Sequence, residues 1–307
     1  MISVNSISGG RTSAYLAVHY PADFNVFSVV CLDDPACAPK DPALVEYAQA
    51  KLSSFVPQFG EFIATAEDDE TLRAMMDLEQ LLGREIAWVR GISFDQLIDV
   101  GDWKSSKTRL PSWARRYCTH SMKLLPIFLW WWQNINVRCD MRIGFRADEF
   151  VRMERFFNNS DPTNFSMPIS CSLRGERRQT HQTFHWRYCS FPMIRDGVTS
   201  AHVHDYWALN GWLGGNLLEE ARQIRFPTVS NCIGCFHKKP EVLAAMADLH
   251  PTKFQWFADQ ETKGKGRWLD QQLTYQHIAD NRQDIGREVI FETREMHAAC
   301  HSGGCTE

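Results

Sequence analysis

Short apolar runs alternate with stretches of amphipathic helical spacing through the first 150 residues of the chain. Strand-length apolar runs cover residues 2–7, 25–32, 62–65, 86–89 and 138–145. Helical spacing covers residues 13–19, 43–52, 70–82 and 122–132. Strands that alternate with helices are typical of a parallel sheet built from right-handed crossovers. We therefore predict an α/β fold, with a Rossmann-like parallel sheet and helices on both faces.

The pattern changes in the second half of the chain. Residues 157–183 are polar and rich in turn formers, which predicts a long loop inserted into the α/β domain. Order returns from residue 184, and Thr199 or Ser200 is placed to cap a short helix. From residue 229 the chain has helical spacing, with cysteines near both ends of that segment. We predict an α/β domain over residues 1–228 and a small helical cysteine-containing module over residues 229–307.

Composition narrows the classes of function. The chain has 33 Lys and Arg and 37 Asp and Glu, a net charge of −4, which excludes a globally basic nucleic-acid coat. No apolar run approaches the roughly 18 residues of a membrane-spanning helix, and the amino terminus does not have the pattern of a signal peptide. We therefore expect a cytoplasmic protein without a membrane partner. Ten cysteines in that compartment favour thiol, metal or redox chemistry over disulfides.

A glycine-containing turn lies between the first predicted strand and the first predicted helix. It consists of Ser8, Gly9, Gly10, Arg11, Thr12 and Ser13, which we call the glycine loop. Two glycines allow a close approach to a ligand, and the free amides at the start of the helix favour a phosphate. The loop matches neither the Walker nor the dinucleotide pattern. A plain strand-to-helix turn is the alternative interpretation.

Basic residues cluster in the middle of this acidic chain. Six basic residues and no acidic residue occur between residues 104 and 123: Lys104, Lys107, Arg109, Arg115, Arg116 and Lys123. They predict a surface for phosphate or nucleic acid, with Trp103 and Trp113 available for base stacking. A second basic stretch contains Arg174, Arg177, Arg178 and Arg187. If both stretches face one cleft, the substrate is polyanionic; the alternative is a solvated loop whose cations maintain solubility.

Cys232 and Cys235 form a C-x2-C pair with Gly234 between them. This spacing allows two thiolates to bind one metal ion or cluster. A redox dithiol and a chance pairing are the alternatives. The other cysteines are not tightly paired by spacing, and Cys31 and Cys139 are expected to be small buried hydrophobes.

The glycine loop resembles the phosphate loop of the adenine-nucleotide alpha-hydrolase (PP-loop ATP pyrophosphatase) superfamily. Within it, the chain is most similar to phosphoadenosine phosphosulfate (PAPS) reductase-like proteins of phages and bacteria. Four further segments match motifs of that family in the same order, so the resemblance runs from residue 4 to about residue 260. They contain Arg116, Cys118, Thr119, Lys123 and Pro126; Gly144, Arg146, Ala147, Asp148 and Glu149, with Arg152 and Arg155 beyond; Pro192, Met193, Ile194, Asp196, Gly197, Val198 and Thr199; and residues 230–239 with the C-x2-C pair.

The resemblance implies a HUP-type fold and an adenine nucleotide, either ATP or PAPS/APS, bound at the glycine loop. It implies nucleotide contacts from Asp148 and Glu149, catalytic roles for Arg116, Lys123 and Arg146, and Mg²⁺ if the substrate is ATP. One departure concerns the end of the second strand, where Asp33, Asp34 and Pro35 replace the family's Thr-Gly turn. Asp34 remains the candidate for the ribose or adenine contact.

The resemblance also implies a 4Fe-4S cluster held by Cys118, Cys232, Cys235 and either Cys305 or Cys300. Thr119 stands where iron-sulfur members of the family have a second adjacent cysteine, so the carboxyl-terminal cysteines are the candidates for the fourth ligand. Zinc is the alternative, because four thiolates suit both. His237 and His301 are further candidate ligands.

Three functions remain open at this point. The leading hypothesis is a nucleotide-dependent sulfurtransferase that activates an acceptor, such as a nucleic acid, and receives sulfur from a persulfide, a cluster-bound sulfide or a donor protein. The second is an oxidoreductase of the PAPS or APS type that releases sulfite. The tail around Cys305 has neither the glutamate before the cysteine nor the histidine after it that cluster-free reductases carry. The third is a non-catalytic nucleotide sensor in a larger phage or prokaryotic assembly.

Overall fold

The computed structural model describes most of the first 283 residues. The described residues are 1–53, 55, 59–100, 110–112, 116–159, 161–173, 176–209, 224–227, 229, 232–263, 266–269 and 273–283. Within them, no helix is both long enough and apolar enough to cross a membrane.

Nine strands are found in the described part of the chain. They are β1 Ser3–Ile7, β2 Phe24–Val29, β3 Cys31–Leu32, β4 Ala64–Thr65, β5 Ile86–Arg90, β6 Cys139–Ile143, β7 Asn164–Leu173, β8 Glu176–His185 and β9 Arg187–Ser190. The central sheet has the order β5-β2-β1-β6-β9, and every neighbouring pair in it is parallel. The predicted parallel α/β sheet is confirmed.

The helices connect and cover these strands. They are α1 Arg11–His19, α2 Pro42–Ser53, α3 Asp69–Leu82, α4 Phe94–Val100, α5 Tyr117–Thr119, α6 Leu125–Asn134, α7 Phe150–Asn159, α8 Pro192–Arg195, α9 Ser200–Leu209, α10 Pro240–Leu249, α11 Pro251–Thr262 and α12 Tyr275–Asp280. A π-helical segment, His120–Leu124, joins α5 to α6, and 3-10 turns cover Pro35–Cys37 and Ala147–Glu149.

Alternating side chains of the strands supply two hydrophobic cores, one on each face of the sheet. On β2, fully buried Phe27 packs with residues of α1, α2 and α3. Its neighbour Val26 packs with the aromatic residues of α6, including Trp130 and Trp131. Successive residues of a strand point to opposite faces, so an apolar run on β2 is what a sheet covered on both sides requires.

A β-hairpin stands where the sequence predicted a loop. β7 and β8 pair antiparallel from Asn164 opposite His185 to Leu173 opposite Glu176, so the interpretation of residues 157–183 as a long loop is wrong. Apolar residues do alternate along β7, from Phe165 to Leu173, but the polar residues between them hid this period of two. Phe165 fixes the hairpin to the core, because its ring stacks on Phe128 with centroids 4.2 Å apart.

The second predicted strand, residues 25–32, divides into two. β2 ends at Val29, and β3 pairs antiparallel with β4 outside the central sheet. β3 and β4 share a hydrophobic core with α4 and the carboxyl-terminal helices, in which Phe94 packs against Phe257 and Trp268. The helical module is therefore packed on the carboxyl end of β2, beside the edge where ligands of open α/β sheets bind.

Candidate functional site

The glycine loop connects β1 to α1 in the extended-to-helix turn that the sequence predicted. Gly10 caps α1, and the Ser13 hydroxyl donates to the Gly10 carbonyl at 2.9 Å while accepting the Ser8 N–H at 3.1 Å. Gly9 has a φ of +81°, and a Cβ there would lie 2.4 Å from Thr71 Cγ2. Only glycine fits this position, both for its backbone angle and for its neighbour.

The glycine loop lies at the point where the strand order of the central sheet reverses. From β1 the chain proceeds to β2 and β5 on one side and later to β6 and β9 on the other, so a crevice opens between the carboxyl ends of β1 and β6. Gly144, directly after β6, lies against this loop, since a Cβ there would be 3.6 Å from Ser13 Cα. Two of the predicted motifs therefore meet at the position where this fold class binds ligands.

Arg146 joins the two motifs. Its Nη1 donates to Thr12 Oγ1 at 3.0 Å, a contact between residues 134 positions apart. The same guanidinium pairs with Asp148 Oδ1 at 3.2 Å and with Glu149 Oε2 at 3.3 Å. Glu149 also pairs with Arg152 at 2.7 Å. Asp148 and Glu149 thus orient Arg146 beside the loop, which differs from the direct nucleotide contact that the resemblance implied for them.

Asp34 has a local role in the structure. Its Oδ1 accepts the Ala36 N–H at 2.9 Å and caps the turn Pro35–Cys37. The preceding residue, Asp33, accepts the Ser93 hydroxyl at 2.6 Å and donates its N–H to Asp95 at 2.7 Å. These contacts connect the segment that follows β3 to the start of α4 rather than to the glycine loop.

Three of the predicted cysteines line one cavity, which we call the thiol cavity. Cys118 comes from α5, and Cys232 and Cys235 come from the turn before α10. Arg116 and Lys123, predicted as catalytic, line the same cavity, whose volume is about 40 Å³. The structure therefore separates the predicted catalytic residues: these two lie among the thiols, and Arg146 lies at the glycine loop.

The C-x2-C turn has a tight backbone. Cys235 N–H donates to Cys232 O at 3.1 Å, and Lys238 N–H donates to Cys235 O at 2.9 Å. Lys238 is buried, and its ammonium group donates to the carbonyls of Cys232 and Ile233. A Cβ at Gly234 would lie 2.4 Å from Phe257 Cγ, so the glycine between the cysteines is required by the ring of α11.

Burial controls the protonation of the cysteine and histidine side chains that line the thiol cavity. It raises the pKa of the Cys118 thiol to about 11, with the nearby Cys235 acting in the same direction. Burial also raises the pKa of Cys232. His237 has its pKa lowered to about 4, first by burial and then by the charge of Arg116. Without a metal ion, neutral thiols and a neutral imidazole therefore face the cations of this cavity at neutral pH.

A buried carboxylate that the sequence analysis missed holds Lys123. Glu67 is fully buried, and its Oε1 lies 3.4 Å from Lys123 Nζ. Lys253 Nζ donates to the Glu67 carbonyl and to Asp69 Oδ1, both at 2.6 Å. The signal available in the sequence was the acidic run of residues 67–70 directly after a short apolar strand.

The described residues do not by themselves complete a metal site. Thiolates suit zinc and iron, and three cysteines share the thiol cavity. No group of three or more Cys, His, Asp or Glu side chains among the described residues is arranged to hold a metal ion. Cys300, His301 and Cys305 lie outside the described residues. The three thiol groups are suitable ligands for a metal-thiolate centre, but the described residues do not arrange them as a complete metal site.

One residue of the second basic stretch, Arg187, does not lie on the surface of the protein. Arg187, predicted to face a polyanion, is buried: its Nε donates to the Pro162 carbonyl at 2.8 Å, and its guanidinium lies 4.5 Å from the Trp186 ring centre. This stabilises the hairpin base, because a buried guanidinium needs such partners. Several other basic-stretch residues lie outside the described residues: Trp103, Lys104, Lys107, Arg109, Trp113, Arg115 and Arg174.

Comparisons with protein-family models, with curated proteins and with solved structures find no match to this chain. The geometry of the glycine loop and of the thiol cavity is therefore the basis of the functional conclusion, and the family remains a prediction from the motifs.

Proposed function

We propose that this protein is a PAPS reductase-like PP-loop enzyme, which binds an adenine nucleotide at the glycine loop and breaks a bond at its phosphate end for sulfur transfer. The observation that carries the proposal is the junction of the glycine loop with Arg146 at the switch point of the sheet. A turn that served only to connect a strand to a helix would not need a guanidinium oriented beside it by two carboxylates.

The chemistry of this junction suits phosphate. The first amides of α1 point out of the helix and carry its positive dipole end, which attracts an anion. Arg146 adds a positive charge beside the loop, where Asp148, Thr12 and Glu149 hold its guanidinium. Together they would stabilise the charge that develops on a leaving pyrophosphate. Thr12 keeps this guanidinium in place, at 3.0 Å.

The reaction we propose is redox-neutral when ATP is the nucleotide. A carbonyl oxygen of the acceptor, such as a nucleic-acid base, attacks the α-phosphorus; the bond to pyrophosphate breaks, and the acceptor releases a proton. A hydrosulfide from a sulfur-donor protein then attacks the activated carbon, and AMP leaves with the bonding electrons of the carbon–oxygen bond. The acceptor has exchanged oxygen for sulfur. Mg²⁺ would bind the triphosphate in the first step.

The thiol cavity is the part of the molecule suited to handle sulfur. Its three cysteines lie beside Arg116 and Lys123, whose charges attract an anionic sulfur species. If a metal-thiolate centre forms, Cys118, Cys232 and Cys235 would hold it together with Cys300 or Cys305. Such a centre, a 4Fe-4S cluster or zinc, would stabilise thiolates that burial otherwise keeps protonated.

A sulfite-releasing reductase is the second candidate, favoured by the same gathering of thiols. In that reaction two thiols become a disulfide while the nucleotide-bound sulfate becomes sulfite. The thiolate is the attacking species, and burial raises the pKa of Cys118 to about 11. Burial therefore disfavours Cys118 as the attacking thiolate, and a tail cysteine such as Cys305 is the candidate for that role.

Product analysis with two nucleotides separates the candidates. We expect pyrophosphate release from ATP in the presence of acceptor RNA or DNA, and no sulfite release from PAPS with dithiol. Gly9→Asp should abolish nucleotide binding, because it adds a bulky anion where Thr71 leaves no room. Gly83→Asp is the matched control: Gly83 also has a positive φ, +57°, but no atom lies near its Cβ position. If the wild-type protein releases sulfite from PAPS and this release is lost when the cysteines are substituted, the reductase is favoured.

Binding without turnover would support the sensor hypothesis instead. Nucleotide affinity measured by calorimetry, together with no pyrophosphate and no sulfite formed by protein with its full metal content, would contradict both enzymatic candidates. If neither ATP nor PAPS binds, the assignment of the glycine loop to phosphate is wrong.

Metal analysis tests the proposed centre independently of activity. Protein purified without oxygen should carry iron with the broad brown absorption of a cluster, or else zinc, and Cys235→Ser should lower that content. Cys139→Ser is the control, since Cys139 is buried in the core formed with α6. Metal-free protein with full nucleotide turnover would refute the metal-thiolate centre and leave the loop assignment unaffected.

A further inference from the structure

A second cavity, of about 440 Å³, opens beside the glycine loop and is separate from the thiol cavity. Its walls include Arg11 from α1, Glu70 from α3, Trp207 from α9, and Arg225 and Phe226 from residues 224–227. We call it the Arg11 cavity. Its volume is within the roughly 300–1,000 Å³ of small-molecule sites, so it has room for one nucleobase with its sugar.

The Arg11 cavity and the glycine loop are directly adjacent. Arg11 is the first residue of α1 and follows the capping Gly10. The indole N–H of Trp207 donates to the Arg11 carbonyl at 3.0 Å, which fixes the ring against the start of this helix. A molecule in the cavity is therefore a neighbour of any phosphate that lies on the loop.

Two aromatic rings form one wall of the cavity. Phe226 packs on Trp207 in an edge-to-face arrangement, with ring centroids 4.8 Å apart. Both side chains are half-buried, so each ring is held by its neighbours and still has an exposed part. Rings of this kind are a stacking surface for a nucleobase, whatever its identity.

The charges at the cavity favour an anionic ligand. Arg225 is exposed on its wall, and Arg11 is half-buried there. Glu70, whose side chain is 40% exposed, brings a carboxylate to the same wall, but its Oε1 is 3.7 Å from Arg73 Nε, an ion-pair distance. Arg73 thus offsets the charge of Glu70, and the two arginines of the wall attract a phosphate.

The proposed reaction requires a site of this kind for the acceptor. A carbonyl oxygen of a base must reach the α-phosphorus of a nucleotide on the loop, and a base that is stacked in a duplex cannot do so. Enzymes that modify a base take it out of the stack into a pocket, where it lies against aromatic side chains. The Arg11 cavity combines an aromatic wall, cations and a position beside the loop.

We propose that the Arg11 cavity receives the target base of a single-stranded nucleic acid, which is the sulfur acceptor. The base stacks on Trp207 and Phe226, and a phosphate of the same strand pairs with Arg225. This inference rests on the proposed function and names its acceptor. A local pair of cations beside two rings is sufficient for one nucleotide, so the net charge of −4 does not conflict with it.

The experiment measures strand binding by fluorescence anisotropy. The probe is a fluorescein-labelled single strand of about 12 nucleotides, within the usual footprint of single-strand binders, prepared as RNA and as DNA. Trp207→Leu is compared with Trp207→Phe, because both lose the indole N–H and only leucine loses the ring. Trp207→Leu should weaken binding about 5- to 100-fold, and Trp207→Phe about threefold or less.

A second pair of variants tests the phosphate contact. Arg225→Gln should lower the slope of log affinity against log salt concentration by about 0.7, the share of one phosphate in a single strand. Arg84→Gln is its control and should leave the slope unchanged, since Arg84 is exposed just before β5, at the opposite edge of the sheet. Excess ATP should not displace the strand, because the loop and the cavity are separate.

The outcomes distinguish the cavity from the loop. If neither strand binds, or if Trp207→Leu and Trp207→Phe bind the strand equally well, the cavity assignment is overturned. Competitive displacement of the strand by ATP would also overturn it, since the cavity would then hold the free nucleotide. If the strand binds as expected but neither ATP nor PAPS binds, the proposed function fails and the nucleic-acid site remains.

Discussion

Replacing Gly9 with alanine should destabilise the protein more than the same replacement at Gly83. Both glycines have a positive φ, +81° and +57°, so both variants carry the cost of the left-handed region, about 1–2 kcal/mol. The environments differ. A Cβ on Gly9 would lie 2.4 Å from Thr71 Cγ2 and 3.2 Å from Phe27 Cε2, whereas nothing lies within 4 Å of a Cβ on Gly83.

The difference between the two variants isolates the steric clash. Overpacking of a close contact typically costs about 1–3 kcal/mol. Gly83→Ala should therefore lower the free energy of unfolding by about 1–2 kcal/mol, and Gly9→Ala by about 2–5 kcal/mol. Thr71 is buried, with 1% of its surface exposed, and cannot turn into solvent to relieve the contact. Urea unfolding followed by tryptophan fluorescence measures both values.

A second substitution tests the identity of the clashing atom. Thr71→Ser removes the Cγ2 methyl group and retains the hydroxyl, so it should recover about 1–3 kcal/mol in the Gly9→Ala background. On its own, it should cost about 1 kcal/mol for the lost methyl group. If Gly9→Ala is no more destabilising than Gly83→Ala, or if Thr71→Ser brings no recovery, the close packing of the loop against α3 is refuted.

Three further predictions concern the thiol cavity and the helical module. Gly234→Ala should cost about 1–3 kcal/mol of stability and lower metal content, because its Cβ would meet the Phe257 ring; Phe257→Leu in the same protein should recover part of both, as measured by urea unfolding and metal counting. Glu261→Ala should cost about 2–4 kcal/mol, since the carboxylate accepts two backbone N–H groups, at 3.0 and 2.7 Å; an unchanged urea midpoint would show that these bonds do not stabilise the module. Burial alone would raise the pKa of Asp68, but the hydrogen bond and charge of His250 and a helix N–H lower it. Because the pKa of Asp68 is lower in the folded protein, its carboxylate stabilises the fold at pH values above the unfolded pKa of about 4, and this stabilisation is lost as the pH falls through the folded pKa. The urea midpoint of the wild-type protein should therefore drop between about pH 6 and about pH 3, and Asp68→Asn should make that drop smaller.

Much of the fold was predictable because its signals are local. Four strands of the central sheet, β1, β2, β5 and β6, lie in the predicted strand runs, and the predicted helices have helical spacing, so their order and type could be derived from neighbouring residues. The edge strand β9 has the sequence RYCS, which is not an apolar run, and it was not predicted. The β7–β8 hairpin was missed because its polar residues dominated the composition. β3 and β4 were assigned to longer strands, since nothing local shows that two residues leave one sheet to form another.

The chain alone determined which residues belong to the candidate chemistry: the glycine loop, the segment of Arg146, and the cysteines at positions 118, 232 and 235. Only the tertiary structure decided how they are grouped. Arg146 reaches Thr12 across 134 positions, while Arg116 and Lys123 lie among the thiols instead. Glu67 became visible only through its complete burial, because an acidic residue is unremarkable in a sequence until its surroundings are known. Local periodicity follows from backbone geometry and is written in the sequence, whereas the partners of a charge depend on packing between distant segments.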